Sequence, residues 1–203
     1  AVLIGAPERD AEKNTLHNSA FLFDADGDMA GRWRKITVAS DGWSKPGTDL
    51  SPIRWHAPRH GDLTLGVLIC ADAYTPHVVA RLAAEGAELL VSPANWGPGA
   101  EGPKGEWEAR SRETGLPFIV CNRTGVDDTL DFTDAESLMI IAGSRRLTHR
   151  SADPAVLTFD WNDVPVKLSL FDSHAERNGR KLGERARLPV VEALLRAHRE
   201  SAG

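Results

Sequence analysis

One of the two cysteines, Cys70, occupies a position where a thiol could act as a nucleophile. The apolar segment LGVLIC (65–70) is typical of a buried strand, and Thr75-Pro76 then predicts the start of a helix. Backbone N–H groups and the helix dipole at such a junction favour a thiolate. A cysteine in this setting is also an ordinary packed core residue, and the same interpretation applies to Cys121 in PFIVCN. The pattern alone leaves both roles open for Cys70.

A nucleophilic thiol needs a base for its proton and a cation or hydrogen-bond donor for the developing oxyanion. Lys35 ends a predicted strand in GRWRKI, where Trp33 and Ile36 flank it. Most lysines are solvated, but one on an aromatic-flanked strand before a long loop (37–52) could point inward. Lys35 is therefore a candidate for oxyanion stabilisation.

The elements that must position these residues alternate between strands and helices. Apolar runs predict strands at 2–4, 20–23, 32–36, 53–57, 63–69, 89–92 and 116–121, with short strands between 137 and 159. Helical spacing predicts helices after Thr75, over about 106–114 and over 188–199. This order predicts a single α/β layered domain over residues 1–203.

Composition excludes several classes of protein. The net charge of -5 over 203 residues argues against nucleic acid or an anionic membrane as the main partner. No apolar run approaches the roughly 20 residues of a membrane span. Two cysteines are too few for a disulfide framework and cannot build a zinc site alone, so we expect a reducing cytoplasm.

Five segments, in order within residues 1–145, resemble the nitrilase superfamily, the carbon–nitrogen hydrolases. Each is weakly specific by itself, but their common order and spacing make the resemblance specific. The segments are GRWRKI (31–36), GVLICAD (66–72), SPANW (92–96), W with RSRE (107 and 110–113) and NRTG (122–125).

The resemblance implies an α/β fold, a four-layer α-β-β-α sandwich that forms homodimers or higher homo-oligomers. It also implies a Glu-Lys-Cys catalytic set with no metal or organic cofactor. In that set Cys70 attacks an amide or nitrile carbon, while Lys35 and the backbone N–H of Ala71 stabilise the oxyanion. The other expected contacts to the substrate or the oxyanion are Asp41, Asn95 and Trp96.

The sequence departs from the family pattern at the general base. The family's glutamate lies upstream of the segment matching AVLIGAPE, and Glu8 matches a different acidic position. We therefore expect the chain to be incomplete at its N-terminus, with the base upstream of Ala1. Asp41 stands for a second acidic residue of the family, one methylene shorter, and fits a turn-capping aspartate equally well. Asp72 favours an amidase-like member over a nitrilase proper.

Three functions remain for the structure to weigh. The first is hydrolysis of a non-peptide carbon–nitrogen bond in a small linear amide, a nitrile or an N-carbamoyl compound. The second is a truncated or degenerate member that binds or assembles without catalysis. The third is a thiol redox protein using Cys70 and Cys121, which the absence of a C-x-x-C motif disfavours.

Overall fold

The computed structural model describes residues 1–40, 42–57, 61–100, 102–128, 130–158 and 169–171. They form a three-stranded sheet, a six-stranded sheet, a small two-stranded sheet and two α-helices. The predicted helix over 188–199 lies outside the described residues. Among the described helices, none is both long and apolar enough to cross a membrane.

The three-stranded sheet is an antiparallel meander whose inner face carries Ala20, Leu22 and Trp33, all buried. The first two strands are longer than the strands predicted from the apolar runs, because the polar ends of these two strands also pair with each other. The third strand ends one residue before Lys35, which therefore begins the loop. The strands are β1 (Val2–Asp10), β2 (Thr15–Phe23) and β3 (Met29–Arg34).

The six-stranded sheet places two candidate segments at one edge. Its strands, in spatial order, are β4 (Ile53–Ala57), β5 (Gly61–Val67), β6 (Leu89–Ala94), β7 (Phe118–Asn122), β8 (Ser137–Ile141) and β9 (Ser144–His149). The strands β5, β6 and β7 are parallel, and the other pairs are antiparallel. The carboxyl ends of β5 and β6 therefore share an edge, the usual place for a ligand site in such sheets. Cys70 follows β5 and Asn95 follows β6. The small sheet pairs β10 (Val156–Thr158) with β11 (Ser169–Phe171).

Both α-helices begin or end at the residues that the sequence predicts. Helix α1 (Pro76–Ala84) begins with proline at its first position after Thr75. Helix α2 (Glu106–Thr114) ends at Gly115, whose φ of 73° is the left-handed conformation that glycine adopts readily. A 3₁₀ helix (Cys70–Tyr74) precedes α1 and was not predicted.

The helices and the three-stranded sheet lie on opposite faces of the six-stranded sheet. A Cβ added to Gly66 would lie 3.0 Å from Leu90 and 3.4 Å from Leu82 of α1, so Leu90 faces this helix. A Cβ added to Gly5 of β1 would lie 3.2 Å from Pro93. Because side chains alternate along β6, Leu90 and Pro93 point to opposite faces. The described chain thus supplies a helix layer followed by two sheet layers.

The long loop after β3 is attached to β2 although its described part, 35–40 and 42–52, contains no helix or strand. The Lys45 N–H donates to the Leu16 carbonyl oxygen at 2.8 Å. His17 Nδ1 donates to the Lys45 carbonyl oxygen at 2.9 Å. These contacts limit where the loop can run from Lys35 towards β4.

Candidate active site

Cys70 occupies a strained turn at the end of the segment that follows β5. Its φ is 53°, in the left-handed region that costs a residue with a Cβ about 1–2 kcal/mol. The Cys70 N–H donates to Oγ of the buried residue Ser92 at 3.0 Å. Because Ser92 lies on β6, this hydrogen bond helps to attach the turn to the sheet. Strain of this kind in a folded protein is concentrated at functional sites.

The environment of the Cys70 thiol is both apolar and partly positive. Burial raises the pKa of the thiol, and the nearby Asp72 carboxylate raises it further. The Lys35 ammonium and the backbone N–H groups of Asn95 and Ala71 oppose this effect and lower the pKa. The net pKa is above that of an ordinary cysteine. Attack by this sulfur at neutral pH therefore requires a group that accepts its proton.

Lys35 is held in place through its backbone. Its N–H donates to the Asn18 carbonyl oxygen at 2.7 Å, and its own carbonyl oxygen accepts the Gly47 N–H at 2.8 Å. Gly47 allows this approach, because a Cβ there would lie 2.5 Å from the Arg34 carbonyl oxygen. The Lys35 charge acts on both the Cys70 thiol and the Asp72 carboxylate, so the fold brings Lys35 and Cys70 together.

Asp72 is buried, with 2% of its surface exposed, and both of its carboxylate oxygens accept hydrogen bonds. Its partners are the backbone N–H groups of Ile36, Thr37 and Ile69. Burial raises the pKa of Asp72, while these N–H groups and the Lys35 charge lower it. A carboxylate with both oxygens engaged in this way is a poor general base.

The two residues that follow β6 differ in position. Asn95 contacts the Cys70 sulfur through its backbone. Trp96 is buried between Tyr74 and Trp107, with ring centroids at 4.7 and 5.0 Å in edge-to-face geometry. Asn122 fixes the backbone of Trp96, since its Oδ1 accepts the Trp96 N–H at 3.0 Å and its Nδ2 donates to the Trp96 carbonyl oxygen at 2.9 Å. The Trp96 ring thus packs against Tyr74 at the end of the 3₁₀ helix that begins at Cys70.

Two further acidic residues, Asp41 and Glu8, were considered for the site, and the structure describes only Glu8. Asp41 lies outside the described residues, so its role stays a prediction. Glu8 accepts hydrogen bonds from Arg34 and Ser19 and pairs with Arg32 at 3.0 Å. The Arg34 hydrogen bond, with the Ser19 bond and the charges of both arginines, lowers the pKa of Glu8 to about 2. This agrees with leaving Glu8 out of the catalytic set.

The expectation that Cys121 is a core residue is wrong. Its side chain lies on the face of β7 opposite that of buried Phe118 and Val120, and it is exposed. It lines a cavity of about 320 Å³ together with residues of β8, β9 and β10. The surrounding cavity wall desolvates the thiol and raises its pKa, although the residue reaches solvent. Both cysteines are free thiols.

The sequence reasoning missed two residues that hold the nucleophile. Ser92 was read only as part of the SPANW segment, although it accepts the Cys70 N–H. Asp72 was read only as a marker of the amidase-like group. A signal for Asp72 was available, because an acidic residue just after a buried strand must find hydrogen-bond donors. Among the described residues, no cluster of three or more His, Cys, Asp or Glu could hold a metal ion.

Comparison with known protein families assigns the chain. The family model described as Carbon-nitrogen hydrolase matches residues 1–145. The chain belongs to the carbon-nitrogen hydrolase family. A probable nitrilase of Schizosaccharomyces pombe is 30% identical over an alignment of 139 residues, and the match covers 64% of this chain and 48% of that protein. A glutamine-dependent NAD(+) synthetase of Rhodobacter capsulatus is 34% identical over an alignment of 121 residues, and the match covers 54% of this chain and 22% of that protein.

Solved structures of the family share the fold. A carbon-nitrogen hydrolase from Helicobacter pylori has a TM-score of 0.60 at 26% identity, over 73% of this chain and 57% of that one. An amidase from Nesterenkonia sp. AN1 has a TM-score of 0.63 at 22% identity, over 73% of this chain and 56% of that one. That structure carries the acetamide moiety of fluoroacetamide on its active-site cysteine. The chain thus spans about half the length of these family members or less. The predicted nitrilase-superfamily membership and nitrilase-type α/β fold class are confirmed, and the described residues supply three of the four α-β-β-α layers.

Proposed function

We propose that this member of the carbon-nitrogen hydrolase family is a thiol amidohydrolase for which Cys70 is the nucleophile. One observation carries the proposal. The Cys70 sulfur lies at a strained turn, where the Lys35 charge and the N–H groups of Ala71 and Asn95 act on it. These are the donors that an oxyanion next to the sulfur would need.

In the proposed reaction the Cys70 thiolate attacks the carbonyl carbon of a small linear amide. The new C–S bond places negative charge on the carbonyl oxygen, which Lys35 and the Ala71 N–H stabilise. The C–N bond then breaks, and the nitrogen takes a proton and leaves as ammonia or an amine. Water hydrolyses the resulting thioester to a carboxylic acid and restores the thiol.

The raised pKa of the Cys70 thiol means that this reaction needs a general base. Asp72 and Glu8 are both committed to other hydrogen bonds. We therefore assign the base to neither of them, and the glutamate base that the family resemblance implies stays a prediction.

The first step can be tested without the base by using an activated ester. We expect 4-nitrophenyl acetate at pH 9 to acylate the wild-type chain with a burst of one nitrophenolate per Cys70. Cys70→Ala should lose the burst, whereas Cys121→Ala, the matched control, should keep it. Mass spectrometry should find the acetyl group on the peptide that contains Cys70. An equal burst from Cys70→Ala would refute the assignment of the nucleophile.

The substrate class is tested by assaying the full-length protein. Ammonia release from small linear amides, abolished by Cys70→Ala, is the expected result, and nitriles and N-carbamoyl compounds are the comparison substrates. The names of the relatives, a probable nitrilase and an amidase, support this choice of substrates.

A non-catalytic binding or assembly protein is the second candidate, and the burial that raises the thiol pKa favours it. The absence of both Cys70 acylation and ammonia release would favour this alternative over catalysis. Homo-oligomer formation, a cytoplasmic location and the single domain over 1–203 stay predictions.

A further inference from the structure

We propose that Asp72 is a positioning residue that fixes the oxyanion-stabilising Lys35 relative to the nucleophile Cys70. This inference rests on the proposed function, because it concerns the same two side chains. Asp72 itself touches neither the substrate nor the reacting atoms in this proposal.

A single carboxylate joins the two chain segments that carry the site. Asp72 Oδ1 accepts the N–H groups of Ile36 at 3.0 Å and Thr37 at 2.7 Å. Asp72 Oδ2 accepts the N–H of Ile69 at 2.9 Å. Ile36 and Thr37 directly follow Lys35, and Ile69 directly precedes Cys70. One side chain therefore helps to set the backbone direction next to both candidate residues.

A second bond joins the same segments. The hydroxyl groups of Thr37 and Thr75 lie 2.7 Å apart, within hydrogen-bond distance. Thr75 follows the 3₁₀ helix that begins at Cys70. The start of the long loop is thus attached to this part of the chain twice, within the 3₁₀ helix through Asp72 and directly after it through Thr75.

The chemistry of the junction calls for a carboxylate. Three N–H groups converge on Asp72, and an ionised carboxylate can accept all of them. An asparagine has one accepting oxygen, which could serve Ile36 and Thr37. Its NH₂ group would then face the Ile69 N–H, donor against donor. Asp72→Asn keeps the size of the side chain and removes the acceptor on the Cys70 side.

A purely stabilising role for Asp72 predicts a different result from a positioning role. If Asp72 only stabilised the turn, its loss would reduce acylation by the same factor with or without Lys35. If Asp72 acts by placing Lys35, its loss should matter little once Lys35 is gone. Coupled residues give non-additive effects, and a double-mutant cycle measures the coupling.

The experiment measures the rate constant for acylation of Cys70 by 4-nitrophenyl acetate in four proteins: wild type, Asp72→Asn, Lys35→Met and the double variant. We expect Asp72→Asn to slow acylation about 100-fold when Lys35 is present, as misplacement of a catalytic group by about 1 Å can do. In the Lys35→Met background the loss should be below about 5-fold. Equal factors in the two backgrounds, or a wild-type rate for Asp72→Asn, would overturn the inference.

Glu88→Gln is the matched control. Glu88 Oε2 also accepts a backbone N–H, that of Thr64 at 2.8 Å, but it lies just before β6, at the end of the sheet away from Cys70. This variant should be acylated at the wild-type rate. Circular dichroism must show each variant folded at the assay temperature.

If Asp72→Asn does not fold, Thr75→Val takes its place in the same cycle. It removes only the hydroxyl bond to Thr37, and a loss of acylation that disappears with Lys35→Met supports the inference. A wild-type rate for Thr75→Val would then count against it. No acylation of the wild-type chain refutes the proposed function itself, whereas acylation with additive losses refutes only the positioning role.

Discussion

Glu8 provides a test of how the three-stranded sheet is stabilised and of which acidic residue is not catalytic. Its side chain is 10% exposed, and its carboxylate accepts hydrogen bonds from Arg34 Nε at 3.0 Å and Ser19 Oγ at 2.6 Å. Arg32 adds an ion pair across the sheet at 3.0 Å. Glu8→Gln removes the charge and keeps the shape, so its effect reports the value of the ion pairs on β1.

The magnitude follows from the pKa of Glu8, which falls from 4.5 to about 2 in the folded protein. At about 1.4 kcal/mol per pKa unit, this shift corresponds to at most about 3.5 kcal/mol of stability. The Arg32 side chain is 50% exposed, so solvent screens its contribution. We therefore expect Glu8→Gln to lower the free energy of unfolding by about 1–2 kcal/mol at pH 7.

The pH dependence gives a second readout with a fixed sign. The folded pKa of Glu8 lies below the unfolded value, so its stabilisation is complete above about pH 5 and is lost as the pH falls towards 2. Urea unfolding of the wild type and Glu8→Gln should therefore differ by less than about half as much at pH 3 as at pH 7. Glu12→Gln, an exposed glutamate in the β1–β2 turn, is the control and should change little.

Two results would refute this reasoning. The first is a stability difference between the wild type and Glu8→Gln that stays constant from pH 7 to pH 3. The second concerns function, because we expect Glu8→Gln to keep the nitrophenolate burst of Cys70. Loss of that burst in a folded Glu8→Gln protein would make Glu8 part of the catalytic set after all.

Two further predictions concern the packing around the site. Asn122→Ala should lower the free energy of unfolding by about 1–3 kcal/mol, because two hydrogen bonds to the buried Trp96 backbone are lost. Urea unfolding measures this, and a change below about 0.5 kcal/mol would contradict the stated role of Asn122. Gly143→Ala should destabilise more than Gly27→Ala: both have positive φ, but a Cβ at Gly143 would lie 2.7 Å from α2, whereas Gly27 has open space. Equal melting temperatures for the two variants would refute the predicted clash.

The sequence by itself determined the local elements. The strand over 53–57 and the helix over 106–114 agree with the structure, because apolar spacing and flanking glycine and proline act over a few neighbouring residues. The same patterns placed Cys70 between a strand and a helix, and the order of the motifs identified the family. The 3₁₀ helix was missed, because a short turn has no such periodic signal.

Only the tertiary structure decided what surrounds each candidate residue. The Asp72 carboxylate meets N–H groups 35 and 36 positions away along the chain, and Ser92 reaches Cys70 from another strand. Cys121 follows an apolar run yet is exposed, because burial depends on which sheet face is covered and not on the run itself. Partners distant in sequence leave no local pattern. The types of residue at the site could therefore be predicted from the sequence. Their hydrogen-bond partners, the charged groups near them and the resulting pKa shifts depend on the tertiary structure.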